Sequence, residues 1–348
     1  MRKFTLHSIW QETGERIAKE GGVVMVIGAV DIGKSTFCAA LAFHALQYHE
    51  KVAVVDADIG QSDIGPPGTI GMGFAHPNMT ELSDIPLHSL YFVGDISPQG
   101  HFLDMVIGTQ RMVQKAISLG AGLVLVDTTG LISGMPARKL KSYKIEAVRP
   151  NHLVALQKGN EVEHIIKGWE RTSWLKIHRL PPSPLATPRS FEERRINRER
   201  KFRSHFAQAL SFQLPMDSVT FRNSPVFSAR PLHPALLLRL EEKWGGKILW
   251  GEMDRWGLTL VVGREHRLHS PYFLEREVGR RINIIWEEEL ENKYAVLIDE
   301  EEEHLDVCIV EGIDFSERRI SIFTPFKEID KIATISFGTL KIDFLRQG

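Results

Sequence analysis

Short unbroken apolar runs alternate with helix-spaced segments along the N-terminal part of the chain. Residues 23–27 (VVMVI) form one such run, and residues 51–56 (KVAVVD) a second. Residues 90–93, 122–126 and 153–157 continue the series. Continuous β-branched runs of this length are what strands buried on both faces look like. Between them, residues 37–48 and 103–119 repeat apolar positions at helical spacing. Strands alternating with helices predict a parallel α/β sheet flanked by helices. Residues 1–22 read as a lead-in with an amphipathic turn over 9–18. Residues 63–80 hold Gly65, Pro66, Pro67, Gly68, Gly71, Gly73 and Pro77 and read as a long loop.

The pattern changes at residues 181–203. Pro181, Pro182, Pro184 and Pro188 make an extended linker, and Ser190 with Glu193 three residues on forms a capping box. The helix that follows carries Arg194, Arg195, Arg198, Arg200, Lys201 and Arg203. From about residue 215 the runs are short and several alternate: 247–250, 258–262, 282–286, 294–299, 307–310, 320–323 and 334–337. These predict a smaller β-rich domain over 215–348, after an α/β domain over 1–214. The run 300–303 (EEEE) reads as a solvated turn.

The first run leads directly into candidate chemistry. Gly28-Ala29-Val30-Asp31-Ile32-Gly33-Lys34-Ser35-Thr36 fits G-x-x-x-x-G-K-[ST], the phosphate loop of nucleotide-binding proteins. Gly28 and Gly33 let backbone N–H groups turn inward onto phosphate oxygens. Lys34 brings a positive charge to the β- and γ-phosphates, the Ser35 hydroxyl can ligate Mg²⁺, and the next helix aims its dipole at the anion. The second run ends in Asp56 and Asp58, at the strand end that borders the crevice. One carboxylate can hold Mg²⁺ and the other can accept a proton from an attacking hydroxyl. Asp127-Thr128-Thr129-Gly130 ends the fourth run in the same way and resembles the metal-side D-x-x-G of GTPases. Arg194 and Arg198 share a helix face, and guanidinium forks bind phosphate oxygens bidentately. A mobile helix carrying them, a lid over about 189–210, would neutralise a migrating phosphoryl group.

Composition narrows the field. The chain has 348 residues, 43% hydrophobic and 25% charged, with a formal net charge of −1, so nothing global announces nucleic acid. Its two cysteines, Cys38 and Cys308, are far apart and suit a reducing cytoplasm. No apolar run approaches the ~18 residues of a membrane span, and the N-terminus lacks the apolar stretch of a signal peptide. No H-x-x-x-H or C-x-x-C argues for zinc. Of the tryptophans, Trp169 and Trp174 lie nearest the lid and could stack on a base.

Taken together, these elements resemble the polynucleotide 5'-hydroxyl kinase family. Its members include the P-loop subunit of the pre-mRNA cleavage complex, a ribosomal-RNA-processing kinase and compact archaeal and bacterial kinases. The resemblance rests on the phosphate loop, Asp56-Ala-Asp-Ile-Gly-Gln61, Phe92-Val-Gly-Asp-Ile-Ser-Pro98, Asp127-Thr-Thr-Gly130, and Arg194-Arg-Ile-Asn-Arg198 with Lys201, Phe202 and Phe206. It covers about residues 20–210. It implies a P-loop NTPase fold and transfer of the γ-phosphate of ATP or GTP, with Mg²⁺, to the 5'-OH of RNA or DNA. Asp58 would match the general base, Lys34 the phosphate-holding lysine, and Arg194 and Arg198 the lid arginines. Gln61, Thr128, Thr129 and Gly130 would grip the acceptor end, and Ser35 would hold the Mg²⁺; of the paired carboxylates, Asp56 is the expected second metal ligand. The phosphate loop begins near residue 28, without the long N-terminal domain of larger eukaryotic members, so the compact prokaryotic type is expected. A GTPase or ATPase switch using Asp127 is the second reading, though no N-K-x-D segment follows the fourth strand. A nucleotide-clamped scaffold is the third.

Overall fold

The computed structural model describes residues 6–184, 186–264 and 272–346. Residues 1–5 of the expected lead-in, Leu185 of the proline linker, and residues 265–271 and 347–348 of the expected C-terminal domain lie outside them. The chain divides into two compact units, Met1–His205 and Phe206–Gly348.

The first unit runs α1 (Ser8–Glu20), β1 (Gly22–Gly28), α2 (Lys34–Ala45), β2 (Val52–Ala57), β3 (Thr69–Phe74), β4 (Ser89–Phe92), α3 (Phe102–Ser118), β5 (Leu123–Thr128), α4 (Gly134–Val148), β6 (His152–Leu156), α5 (Glu163–Ile166), β7 (Lys176–Leu180) and α6 (Phe191–His205). Its seven-stranded sheet has the order β4-β3-β2-β5-β1-β6-β7. Neighbours from β2 through β7 pair in parallel, with β1 at the centre between β5 and β6. Helices cover both faces. Val24 and Val26 pack with Phe37 and Leu41 on one side, and Met25 and Ile27 pack with Met112 and Leu140 on the other. That two-sided burial is why β1, β2, β5 and β6 read as unbroken apolar runs.

The loop expected over 63–80 is instead interrupted by β3, which pairs antiparallel with both β2 and β4. The glycines that suggested a loop serve close backbone approach. A Cβ at Gly71 would lie 1.9 Å from Ile64 O, and one at Gly73 would lie 2.3 Å from Pro86 O. Two further elements lie outside the expected runs. β7 alternates exposed and buried residues, and α4 buries two lysines among its core positions.

In the second unit, β8 (Leu210–Pro215), β9 (Thr220–Arg222) and β14–β17 (Lys293–Ile298, His304–Asp314, Arg319–Thr324, Thr334–Lys341) form a six-stranded sheet ordered β8-β16-β15-β14-β17-β9. A four-stranded sheet, β10-β11-β12-β13, joins β10 (Arg230–Pro231), β11 (Ile248–Met253), β12 (Gly257–Val262) and β13 (Arg281–Trp286). The boundary expected after residue 214 falls inside β8, which pairs antiparallel with β16 and so belongs with the β-rich part. Glu300 and Glu301 are exposed in the turn between β14 and β15, as expected of the acidic run. No described helix is long and apolar enough to cross a membrane.

Candidate active site

The phosphate loop links β1 to α2 at the C-terminal edge of the sheet. Gly33 takes φ +97° and Asp31 takes φ +53°, which turns the loop back on itself before α2 begins at Lys34. Gly28 is pressed against β6, where a Cβ would lie 2.6 Å from Leu156 O. Lys34 is nearly buried and donates from Nζ to Ala29 O at 2.7 Å, so its ammonium folds into the curl of the loop. The residues 30–36, with Asp58, Gln61, Asp63, Ala186, Thr187 and Arg189, line an open cleft of about 200 Å³.

Three strand-end carboxylates gather beside it. Asp56, on β2, is buried and faces inward: Oδ1 accepts from Asp58 N at 3.0 Å, and Oδ2 accepts from Asp63 N and, at 3.0 Å, Ile64 N. It therefore organises the turn that presents Asp58. Asp58 itself accepts from Gly60 N and Gln61 N at 3.2 Å each and faces the cleft with Lys34 and Ser35. Asp127, ending β5, accepts from Ser35 Oγ at 2.6 Å, while its buried Oδ1 has no partner among the described residues. Burial pushes the Asp127 carboxyl up to about 6, against the pull of Lys34 and the Ser35 hydroxyl. Burial also drives Asp56 well above the usual carboxylate range, with Asp63, Asp127 and Asp58 adding repulsion. The unpartnered Asp127 oxygen beside the Ser35 hydroxyl suits a hard divalent cation. Mg²⁺ needs only one or two protein oxygens when phosphates and water supply the rest. The contact with Ser35 belongs to Asp127, whereas the oxygens of Asp56, the other expected metal ligand, accept from backbone N–H groups of the 58–64 turn.

The 128–130 turn forms the neighbouring rim. Thr128 does not offer its hydroxyl to the cleft: it is fully buried, donates to Val26 O at 2.7 Å and accepts from Lys141 Nζ at 2.7 Å. Thr129 is 8% exposed, and Gly130 lies so close to the phosphate loop that a Cβ would sit 2.6 Å from the Val30 side chain and 2.7 Å from its backbone. Gln61 donates from Nε2 to Gly60 O at 2.7 Å and to Arg194 O at 3.3 Å.

The arginine helix α6 reaches the same loop. The capping box forms as read: Glu193 N donates to Ser190 Oγ at 3.1 Å, and Ser190 N to Glu193 Oε2 at 2.6 Å. Arg194 donates from Nη2 to Asp31 Oδ2 at 2.6 Å, and Arg189 N reaches the same oxygen at 2.8 Å. Lys201 donates to Ser62 O and pairs with Asp63 at 2.6 Å, tying the helix to the turn that carries Asp58. Arg198 is half-buried, and its side chain forms no hydrogen bond or ion pair among the described residues. Trp169 and Trp174 pack edge-to-face at 6.1 Å against the core, and neither lines the cleft.

Residues 28–208 match the family model for the mRNA cleavage and polyadenylation factor CLP1 P-loop. The chain belongs to the CLP1 P-loop family. A polyribonucleotide 5'-hydroxyl-kinase of Pyrococcus furiosus is 35% identical over 324 residues, which is 93% of this chain and 88% of that protein. One of Methanocaldococcus jannaschii is 32% identical over 325 residues, 92% and 87% of the two chains. A solved complex of wild-type Clp1p with Pcf11p superposes with a TM-score of 0.60 at 12% identity, covering 95% of this chain and 77% of that one, and so shares the fold. Within this CLP1 P-loop frame, motif reading gives Asp31 as part of the phosphate loop but not as the partner of Arg194, and hydropathy reading misses Lys141 and Lys144. Asp31 is a variable position of the loop motif, and the two lysines look like solvent-facing charges. Only their place on the buried stripe of α4, at 140–141 and 144–145, marks them.

Proposed function

We propose that the protein is a polynucleotide 5'-hydroxyl kinase that moves the γ-phosphate of ATP or GTP to the 5'-OH of RNA or DNA. Relatives named polyribonucleotide kinases, at 32–35% identity over most of the chain, favour RNA as the acceptor. The observation that carries the reading is the convergence on one phosphate loop of a cleft-facing carboxylate, Asp58, and a lid guanidinium, Arg194. A switch or a scaffold has no use for both.

Asp58 takes the proton of the attacking hydroxyl. Lys34 leaves Ala29 O for the β- and γ-phosphates, a short swing of a flexible stem. Ser35 and Asp127 would hold Mg²⁺, which screens phosphate charge when bound. Arg194 exchanges Asp31 for the phosphoryl oxygens, and Arg198 follows it, so that positive charge meets the charge that develops in transfer. Thr129, Gly130 and Gln61 grip the 5' end of the acceptor. Two buried, unpaired thiols, Cys38 and Cys308, suit work in a reducing cytoplasm.

The test is transfer of label from γ-labelled ATP and GTP to matched 5'-OH RNA and DNA oligonucleotides. Label should appear on the oligonucleotide, and Lys34→Ala should abolish its transfer. Hydrolysis without transfer would favour the switch, and nucleotide binding without turnover the scaffold.

A further inference from the structure

Helix α4 places two lysines where its sequence spacing calls for apolar residues. Ala137, Leu140, Lys141, Lys144, Ile145 and Val148 form its buried stripe, and both lysines are fully buried. An ammonium group is costly to remove from water, so a buried one is expected to hold specific acceptors. Lys141 does: Nζ donates to Thr128 Oγ1 at 2.7 Å and to Thr129 O at 2.5 Å. Thr128 passes the connection on by donating to Val26 O, on the strand that leads into the phosphate loop. On the other side of the turn, Gly130 abuts Val30 of that loop. The 128–130 rim is thus pinned at both ends, to β1 through Thr128 and to the loop through Gly130, and Lys141 bonds two consecutive residues of it from beneath.

We propose that Lys141 is a positioning residue for the acceptor, holding the 128–130 turn at a fixed distance from the phosphate loop and so setting where the 5' end sits. The proposal rests on the kinase reading above and deepens its acceptor side. Burial, with the nearby positive charges of Lys144 and Lys34, drives Lys141 well below the ordinary lysine range. An apolar side chain would fill the space with less penalty, so the lysine acts through geometry rather than stability. Lys141 is not among the residues that line the cleft, so its loss should fall on the acceptor rim more than on the nucleotide contacts.

The experiment measures steady-state phosphotransfer by Lys141→Met, which keeps length and loses the donors, beside Lys141→Arg and Lys139→Met. Lys139 is exposed on the same helix and controls for charge. Lys141→Met should raise KM for a 5'-OH oligoribonucleotide about tenfold or more while KM for the nucleotide stays within about twofold, since a misplaced rim costs alignment rather than phosphate contacts. Lys141→Arg should recover part of the loss, and Lys139→Met should match the wild type. A folded Lys141→Met with an unchanged oligonucleotide KM, or with both KM values raised alike, overturns the proposal. Should Lys141→Met fail to fold, Thr128→Val removes the hydroxyl that Lys141 holds and must show the same split; an unchanged oligonucleotide KM there overturns it too. A wild type that transfers to no acceptor overturns the kinase reading and the acceptor assignment together, whereas an active wild type with unmoved KM values overturns the role of the lysine alone.

Discussion

Asp56 and Asp127 end neighbouring parallel strands, in register with each other, and yet take different parts. Asp56 satisfies backbone donors of the 58–64 turn, so Asp56→Ala leaves buried N–H groups without acceptors. It should destabilise the protein by about 3 kcal/mol, read by urea unfolding. Asp127→Asn should keep the fold near wild-type stability and raise the Mg²⁺ concentration needed for half-maximal activity about 10–100-fold. The sequence spacing D-x-D places both carboxylates at the crevice end of β2, but it carries no sign of which one turns inward. The Ser35–Asp127 contact joins residues far apart in the chain, and no local pattern announces it. Lys144 adds a pH signature. Burial lowers it to about 7, with Asp58, Asp56 and Asp127 pulling the other way, and its Nζ has no partner among the described residues. Between about 7 and the ordinary lysine value near 10.4 the unfolded chain holds a proton that the folded chain does not, so this group makes stability rise with pH there. Lys144→Met should flatten that rise in thermal melts taken from pH 7 to 10.

Among the elements, β1, β2, β5 and β6 are legible because both faces of each are buried, and α6 is legible because its capping residues are local. β3 and α4 are not, for opposite reasons. In β3 the glycines imitate a loop while allowing Ile64 and Pro86 to approach the strand. Gly71→Ala should therefore destabilise the protein by more than about 2 kcal/mol, since a backbone carbonyl must move to admit the methyl group, and calorimetry would show it as a lowered melting temperature. An unshifted transition would mean that β3 does not lie against Ile64. In α4 the stripe is regular in position but broken in chemistry, with lysines at two core sites. Local rules fail there because the helix serves the rim beside the cleft, a place where polar burial is expected.

At the scale of the whole molecule, the chain separates into an α/β unit that carries every candidate site residue and a β-rich unit that carries none. The two-part organisation is visible in the change from long apolar runs to short alternating ones. The boundary is less visible, because Leu210–Pro215 lies ahead of that change yet finds its partner more than a hundred residues later. Within the α/β unit, the phosphate loop, Asp58 and the arginine helix come from β1–α2, the turn after β2 and α6, segments far apart in the chain. The direct test of that assembly is single-turnover transfer of a γ-phosphate from prebound nucleotide to a 5'-OH oligoribonucleotide by Asp58→Asn. Nucleotide affinity should match the wild type while the transfer rate falls about 10²–10⁴-fold, as loss of a general base requires. A transfer rate equal to the wild type's would contradict the role given to Asp58 and to the cleft built around it.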